Sequence, residues 1–73
     1  MTHYHINVFY SEDGECYVAD IPDLKYCSAF GATPVEAVRA VEKAKKAWLR
    51  AAKAEGKPIP KPRYRPAMYQ SGR

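Results

Sequence analysis

The sequence predicts an α+β fold, an antiparallel β-β-β-α(-β) single domain with one long helix packed on the sheet. Three observations predict it. Residues 4–10 alternate strictly, with Tyr4, Ile6, Val8 and Tyr10 on one face and His5, Asn7 and Phe9 on the other, the period of a strand. Asp13-Gly14 follows at the position of a tight hairpin turn. Thr33-Pro34-Val35-Glu36 then opens a helix: an N-cap threonine, a proline suited to the first turn and a glutamate completing a capping box.

Each element can be justified in order. A two-residue type I′ turn at Asp13-Gly14 fixes a register in which Tyr10 faces Tyr17, Val8 faces Ala19 and Ile6 faces Ile21. All six share one apolar face, which turn chemistry alone does not guarantee. Pro22 breaks the second strand because it has no N–H to donate to a ladder. Tyr26 to Phe30 resumes β character, and Gly31 closes this third strand. The helix extends to about Glu55, where Gly56 supplies a left-handed cap and Pro58 prevents continuation. Ala37, Val41, Ala44, Trp48 and Ala51 form its inward face, flanked by Val38 and Ala52, with Trp48 as anchor. Residues 1–57 thus make the β-β-β-α domain. Residues 58–73 are a proline-rich basic segment, read as a tail or, over Arg63 to Tyr69, an edge strand.

Seventy-three residues make one domain with a marginal core. Two cysteines, Cys16 and Cys27, are too few for a disulfide framework, and no C-x-x-C pair suggests zinc. Hairpin registers centred near Pro22–Asp23 do not oppose them, so both read as small apolar residues. Self-association into a dimer or tetramer becomes the expected support. No apolar stretch approaches the ~20 residues of a membrane span. The N-terminus lacks the basic flank and apolar core of a signal peptide, and the cytoplasm is the expected compartment.

Charge divides the chain. Residues 1–38 carry six acids against Lys25, net −5, and residues 39–73 carry eleven bases against Glu42 and Glu55, net +9. The second half therefore suits a polyanionic partner, or subunits that meet acidic face to basic face.

Few residues suggest chemistry. His3, His5 and Cys16 make at best a poor metal site, with no carboxylate or fourth ligand, and an exposed histidine pair near a terminus is the better explanation. Turn chemistry accounts for Asp13, Asp20 and Asp23. No P-loop, dinucleotide turn or Ser-His-Asp grouping exists, so no catalytic residue, cofactor or metal is expected and the chain reads as a binding protein. On the helix, Arg39, Lys43, Lys46, Arg50 and Lys53 fall within an arc of about 80°. This row is either a solvated outer face or a contact for a partner or nucleic acid. Arg63-Tyr64-Arg65 interleaves basic and aromatic side chains, as nucleic-acid-binding or merely solubilising tails do. Phe9, Cys16 and Val18 lie on the second sheet face. One helix cannot cover both faces, so these three mark an oligomer or partner interface.

The order of signals resembles the HicB antitoxin family, N-terminal domain type. It runs from the Tyr-rich first strand through Glu12-Asp13-Gly14-Glu15 and Tyr17-Val-Ala-Asp-Ile-Pro-Asp23. Cys27, Gly31-Ala-Thr-Pro-Val-Glu-Ala37, Trp48-Leu49 and Gly56-Lys-Pro-Ile-Pro60 complete it, so that the match covers residues 4 to about 62. The resemblance implies a partial ribonuclease-H-like domain without that nuclease's catalytic carboxylates. It also implies an oligomeric antitoxin that caps a small mRNA-cleaving toxin, HicA. Two departures stand out. Leu24-Lys25-Tyr26-Cys27 replaces the family's usual Pro-Gly-Cys turn. The sequence also ends at Arg73, without the helix-turn-helix or ribbon-helix-helix module by which many members bind operator DNA, so autoregulation through such a module is not expected.

Overall fold

The computed structural model describes residues 3–65. Three antiparallel strands, β1 (Asn7–Ser11), β2 (Cys16–Asp20) and β3 (Ser28–Gly31), form a sheet in the order β1-β2-β3. The helix α1 (Pro34–Ala54) packs on one face of it. This is the expected α+β architecture.

In the first hairpin the expected register holds over Asn7–Ser11, but β1 starts at Asn7 and not Tyr4, so the expected Ile6–Ile21 pair is not in the ladder, and the expected turn does not form. Val8 pairs with Ala19 and Tyr10 with Tyr17, yet the ladder closes at Ser11 and Cys16, leaving a four-residue loop. The left-handed residue is Glu15, with φ 51°, and not Asp13 or Gly14. Two-residue and four-residue loops share the same centre, so pairing survives the change. Ser11 Oγ accepts from the Gly14 N–H at 3.3 Å and supports the wider loop.

The link from β2 to β3 also departs from expectation. Tyr17 pairs with Gly31 and Ala19 with Ala29, a register centred on Leu24 and not on Pro22–Asp23. Two consecutive turns cause this. The Leu24 N–H donates to Ile21 O, the Cys27 N–H donates to Leu24 O, and the Ile21 N–H donates across to Cys27 O. Leu24 thereby turns inward and is fully buried. Tyr26 takes the left-handed conformation, φ 64°, so β3 starts at Ser28 and not at Tyr26.

Thr33 caps α1 as expected, its Oγ1 accepting from the Glu36 N–H at 3.1 Å. The reciprocal arm is shifted by one residue: Glu36 Oε1 accepts from Ala32, not Thr33. At the other end the Gly56 N–H donates to Lys53 O and the Lys57 N–H to Ala52 O, a Schellman motif with Gly56 at φ 73°.

Tyr4, Ala19, Ile21, Leu24, Cys27, Ala37 and Val41 form the core, with Ile6, Tyr17, Ala44, Trp48 and Leu49 packed around it. Ala52, not Ala51, is the buried alanine near the helix end. Trp48 is only half-buried, and its indole N–H donates to Lys25 O at 2.9 Å. That bond ties the helix to the β2–β3 link.

Cys16 and Cys27 are both free thiols. Burial pushes the Cys27 thiol above its ordinary 9.0, Asp20 adds to the effect and Lys45 opposes it. A raised acid pKa means that ionisation favours the unfolded chain. Stability from this group is therefore intact below about pH 9 and declines as pH rises further. Iodoacetamide should accordingly modify Cys16 in the native protein and reach Cys27 only on unfolding. Equal labelling rates would contradict the buried placement.

Residues 57–65 form no regular structure, but they are tied back onto the domain. The Tyr4 hydroxyl donates to Pro60 O. Asp23 accepts from the Arg63 N–H at 3.0 Å and from the Tyr64 N–H, and the Tyr64 ring lies 4.9 Å from that of His5. The expected edge strand is absent at residues 63–65, and its remainder lies outside the described residues. Asp23→Ala should cost about 1–2 kcal/mol, because it removes a charged acceptor shared by two amides. Hydrogen exchange should show faster loss of protection at residues 63 and 64; unchanged protection would refute the clamp.

Candidate protein-binding surface

Sheet pairing decides which side chains share the face that α1 leaves open. Phe9 pairs with Val18 and Val18 with Phe30, so the three form one apolar row across all three strands. Phe9 is 51% exposed, Phe30 66% exposed and Val18 half-buried. The next row on the same face is Asn7, Asp20 and Ser28, and the row beyond Phe9 is Ser11 and Cys16. An apolar centre with a polar margin is the anatomy of a protein interface. Phe9, Cys16 and Val18 thus sit on the expected face, and Phe30 completes the row. Sequence reasoning missed Phe30 because its position depends on the β2–β3 register, which the double turn at Ile21–Cys27 sets.

A second apolar zone lies on the helix-covered face. Val8 and Tyr10, expected beneath α1, are both exposed, because α1 lies mainly over β3 and β2 and meets β1 least. Val8, Pro34, Val35, Val38 and Arg39 line an open groove of about 390 Å³ between β1 and the start of the helix. Tyr10 packs edge-on against Tyr17, with ring centroids 5.2 Å apart.

Together these place β1 in an unusual position. Among the described residues it is an edge strand with one side unpaired, and its central residues Val8, Phe9 and Tyr10 are all exposed. Natural edge strands are normally protected by lysine, proline or a covering element, because a bare apolar edge pairs readily with another chain. No lysine or proline protects β1.

The other expected candidates are dispersed. Arg39, Lys43, Lys46, Arg50 and Lys53 are all exposed on the outer side of α1. In the Arg63-Tyr64-Arg65 segment, Arg63 and Tyr64 are held by Asp23 and His5. His5 Nε2 lies 2.7 Å from Asn7 Oδ1, a hydrogen bond that occupies one ring nitrogen. Among the described residues no group of three or more His, Cys, Asp or Glu side chains gathers as a metal site. Nor is any helix among them long and apolar enough to cross a membrane.

A further cavity of about 370 Å³ lies between Lys25, Tyr26, Trp48 and Lys57. Tyr26 at its rim is 89% exposed and stands beneath the Lys25 ammonium, 5.4 Å from the ring centroid. No family model, curated protein or solved structure matches this chain.

Proposed function

We propose that this chain is a non-catalytic binding domain whose β1 edge and flanking apolar side chains dock on another protein. We propose further that it acts as a HicB-like antitoxin of a type II toxin–antitoxin system, neutralising a HicA-type mRNA interferase. One observation carries the first part: Val8, Phe9 and Tyr10 are exposed on both faces of a strand that, among the described residues, has one edge unpaired, with Phe30 continuing the apolar row. That much apolar surface on so small a domain is better covered than left in water. The order of motifs from the Tyr-rich strand to Gly56-Lys-Pro-Ile-Pro60 supports the second part, as does the β-β-β-α order that this resemblance implies.

The acidic hairpin tip, Glu12, Asp13 and Glu15, is exposed next to Tyr10 and suits a basic, RNA-handling partner. A second copy of this chain would fit the same edge, which connects antitoxin action to a dimer or tetramer. Two free thiols suit the reducing cytoplasm, where such a toxin cuts mRNA.

Co-expression with the product of an adjacent short basic reading frame tests the reading. The two should co-purify at fixed stoichiometry, and mRNA cleavage by the partner should stop. A catalytically active toxin left unbound and uninhibited would overturn the antitoxin assignment.

A further inference from the structure

We infer that the outer face of α1 binds the phosphate backbone of a single nucleic-acid strand through Arg39, Lys43, Lys46, Arg50 and Lys53. Arg39 also borders the groove beside Val8, but the row continues along the helix away from β1, and the inference does not depend on the antitoxin reading. The five side chains are exposed and lie opposite the buried Ala37, Val41 and Ala52. From Arg39 to Lys53 the row runs about 21 Å, at 1.5 Å per residue. Every member is three or four residues from the next, so adjacent charges repel by a few tenths of a kcal/mol per pair.

Helices that carry such rows normally interleave glutamates to offset the repulsion. Here every acid on or next to the helix is engaged elsewhere. Glu36 accepts from the Ala32 N–H at 3.1 Å, Glu42 pairs with Lys45 at 3.0 Å and Glu55 pairs with Lys57 at 3.1 Å. Among the described residues no ion pair reaches any of the five. The five charges thus form a row with no neutralising partner among the described residues.

Shape selects the kind of polyanion. A membrane-surface helix needs bulky apolar residues beside its charged face. Val41, Trp48 and Leu49 turn toward the sheet, which leaves Val35, in the first turn, as the one exposed bulky residue of α1. A helix seated in the major groove of a duplex meets phosphates along both flanks. Those flanks hold Ala40, Ala47 and Ala51 on one side and Val38 and Glu42 on the other, with no unpaired cation. A narrow row of cations along a convex ridge matches one strand of phosphates. The small alanines beside it allow close approach. Contacts to phosphates carry no base or sugar information, so ribose and deoxyribose strands are bound alike.

Fluorescence anisotropy of end-labelled oligo(U) and oligo(dT), titrated with the full chain over a range of salt, tests this. Binding should weaken about a hundredfold between ~50 and ~200 mM salt, the slope expected for up to five phosphates on a single strand. The variant Lys43→Gln/Lys46→Gln/Arg50→Gln should flatten that slope by about 2. Its melting temperature should not fall, since like-charge contacts are removed. Lys43→Arg/Lys46→Arg, which keeps the charges, should retain the slope, and so should Lys25→Gln/Lys57→Gln outside the row. Absence of binding at ~50 mM salt overturns the inference. So does a slope indifferent to the triple replacement, or tighter binding of a duplex than of either single strand.

Discussion

Gly31→Ala should destabilise this domain more than any other single-methyl addition, by about 3 kcal/mol. A Cβ at position 31 would lie 2.3 Å from the Ala37 nitrogen, 2.7 Å from the Glu36 carbonyl carbon and 2.9 Å from Ala37 Cα. All three are backbone atoms in the first turn of α1, which Thr33 and Glu36 pin from both sides. None can swing aside as a side-chain tip would. Relief requires lifting β3 from the helix and opening the core around Ala37 and Val41. A chain of this size has roughly 4–11 kcal/mol of stability in total, so the loss is a large fraction of it. Gly56→Ala is the informative contrast. Nothing lies within 4 Å of its Cβ position, and its cost comes only from φ 73°, about 1 kcal/mol. Urea denaturation of the two variants should rank them in that order. A Gly31→Ala variant no less stable than Gly56→Ala would show that β3 and α1 do not approach as described.

The second large effect is on binding. Phe9→Ser together with Phe30→Ser should weaken docking on the protein partner by at least about a hundredfold, because exposed aromatic anchors dominate interface energies. Both side chains are more than half exposed, so stability should change by less than about 1 kcal/mol in total. Tyr26→Ser serves as the control. It is the most exposed large hydrophobic side chain described but stands at the β2–β3 link and not on β1. Calorimetric titration should show full affinity for Tyr26→Ser and a near-complete loss for the phenylalanine pair. Equal affinity of the two variants would remove the open sheet face from the interface.

Much of the fold was legible because local chemistry and long-range pairing agreed. Alternation in residues 4–10 and the turn centre between Asp13 and Gly14 fixed the first register even though the turn type was different. The helix ends were readable residue by residue from Thr33, Pro34 and Gly56, since caps depend on a few backbone bonds close in sequence. Three features were not readable. Leu24 and Tyr26 set the β2–β3 register through a double turn with a left-handed tyrosine, a conformation that bulky residues rarely adopt and that no local pattern signals. Coverage of β1 depends on where α1 lies across the sheet, so Val8 and Tyr10 looked buried by periodicity and are not. Asp23 looked like a turn residue, whereas it grips amides forty residues further along. For the candidate site, the open face was foreseen from Phe9, Cys16 and Val18, while Phe30 required the true register.

A binding role requires that the edge formed by Val8, Phe9 and Tyr10 be covered in solution. Light-scattering mass of the purified chain, alone and with the candidate partner, measures this most directly. The 8.2 kDa chain should run as a dimer or larger, or enter a complex of defined stoichiometry when the partner is added. A stable, well-folded 8.2 kDa monomer at every concentration, unchanged by the partner, would contradict it.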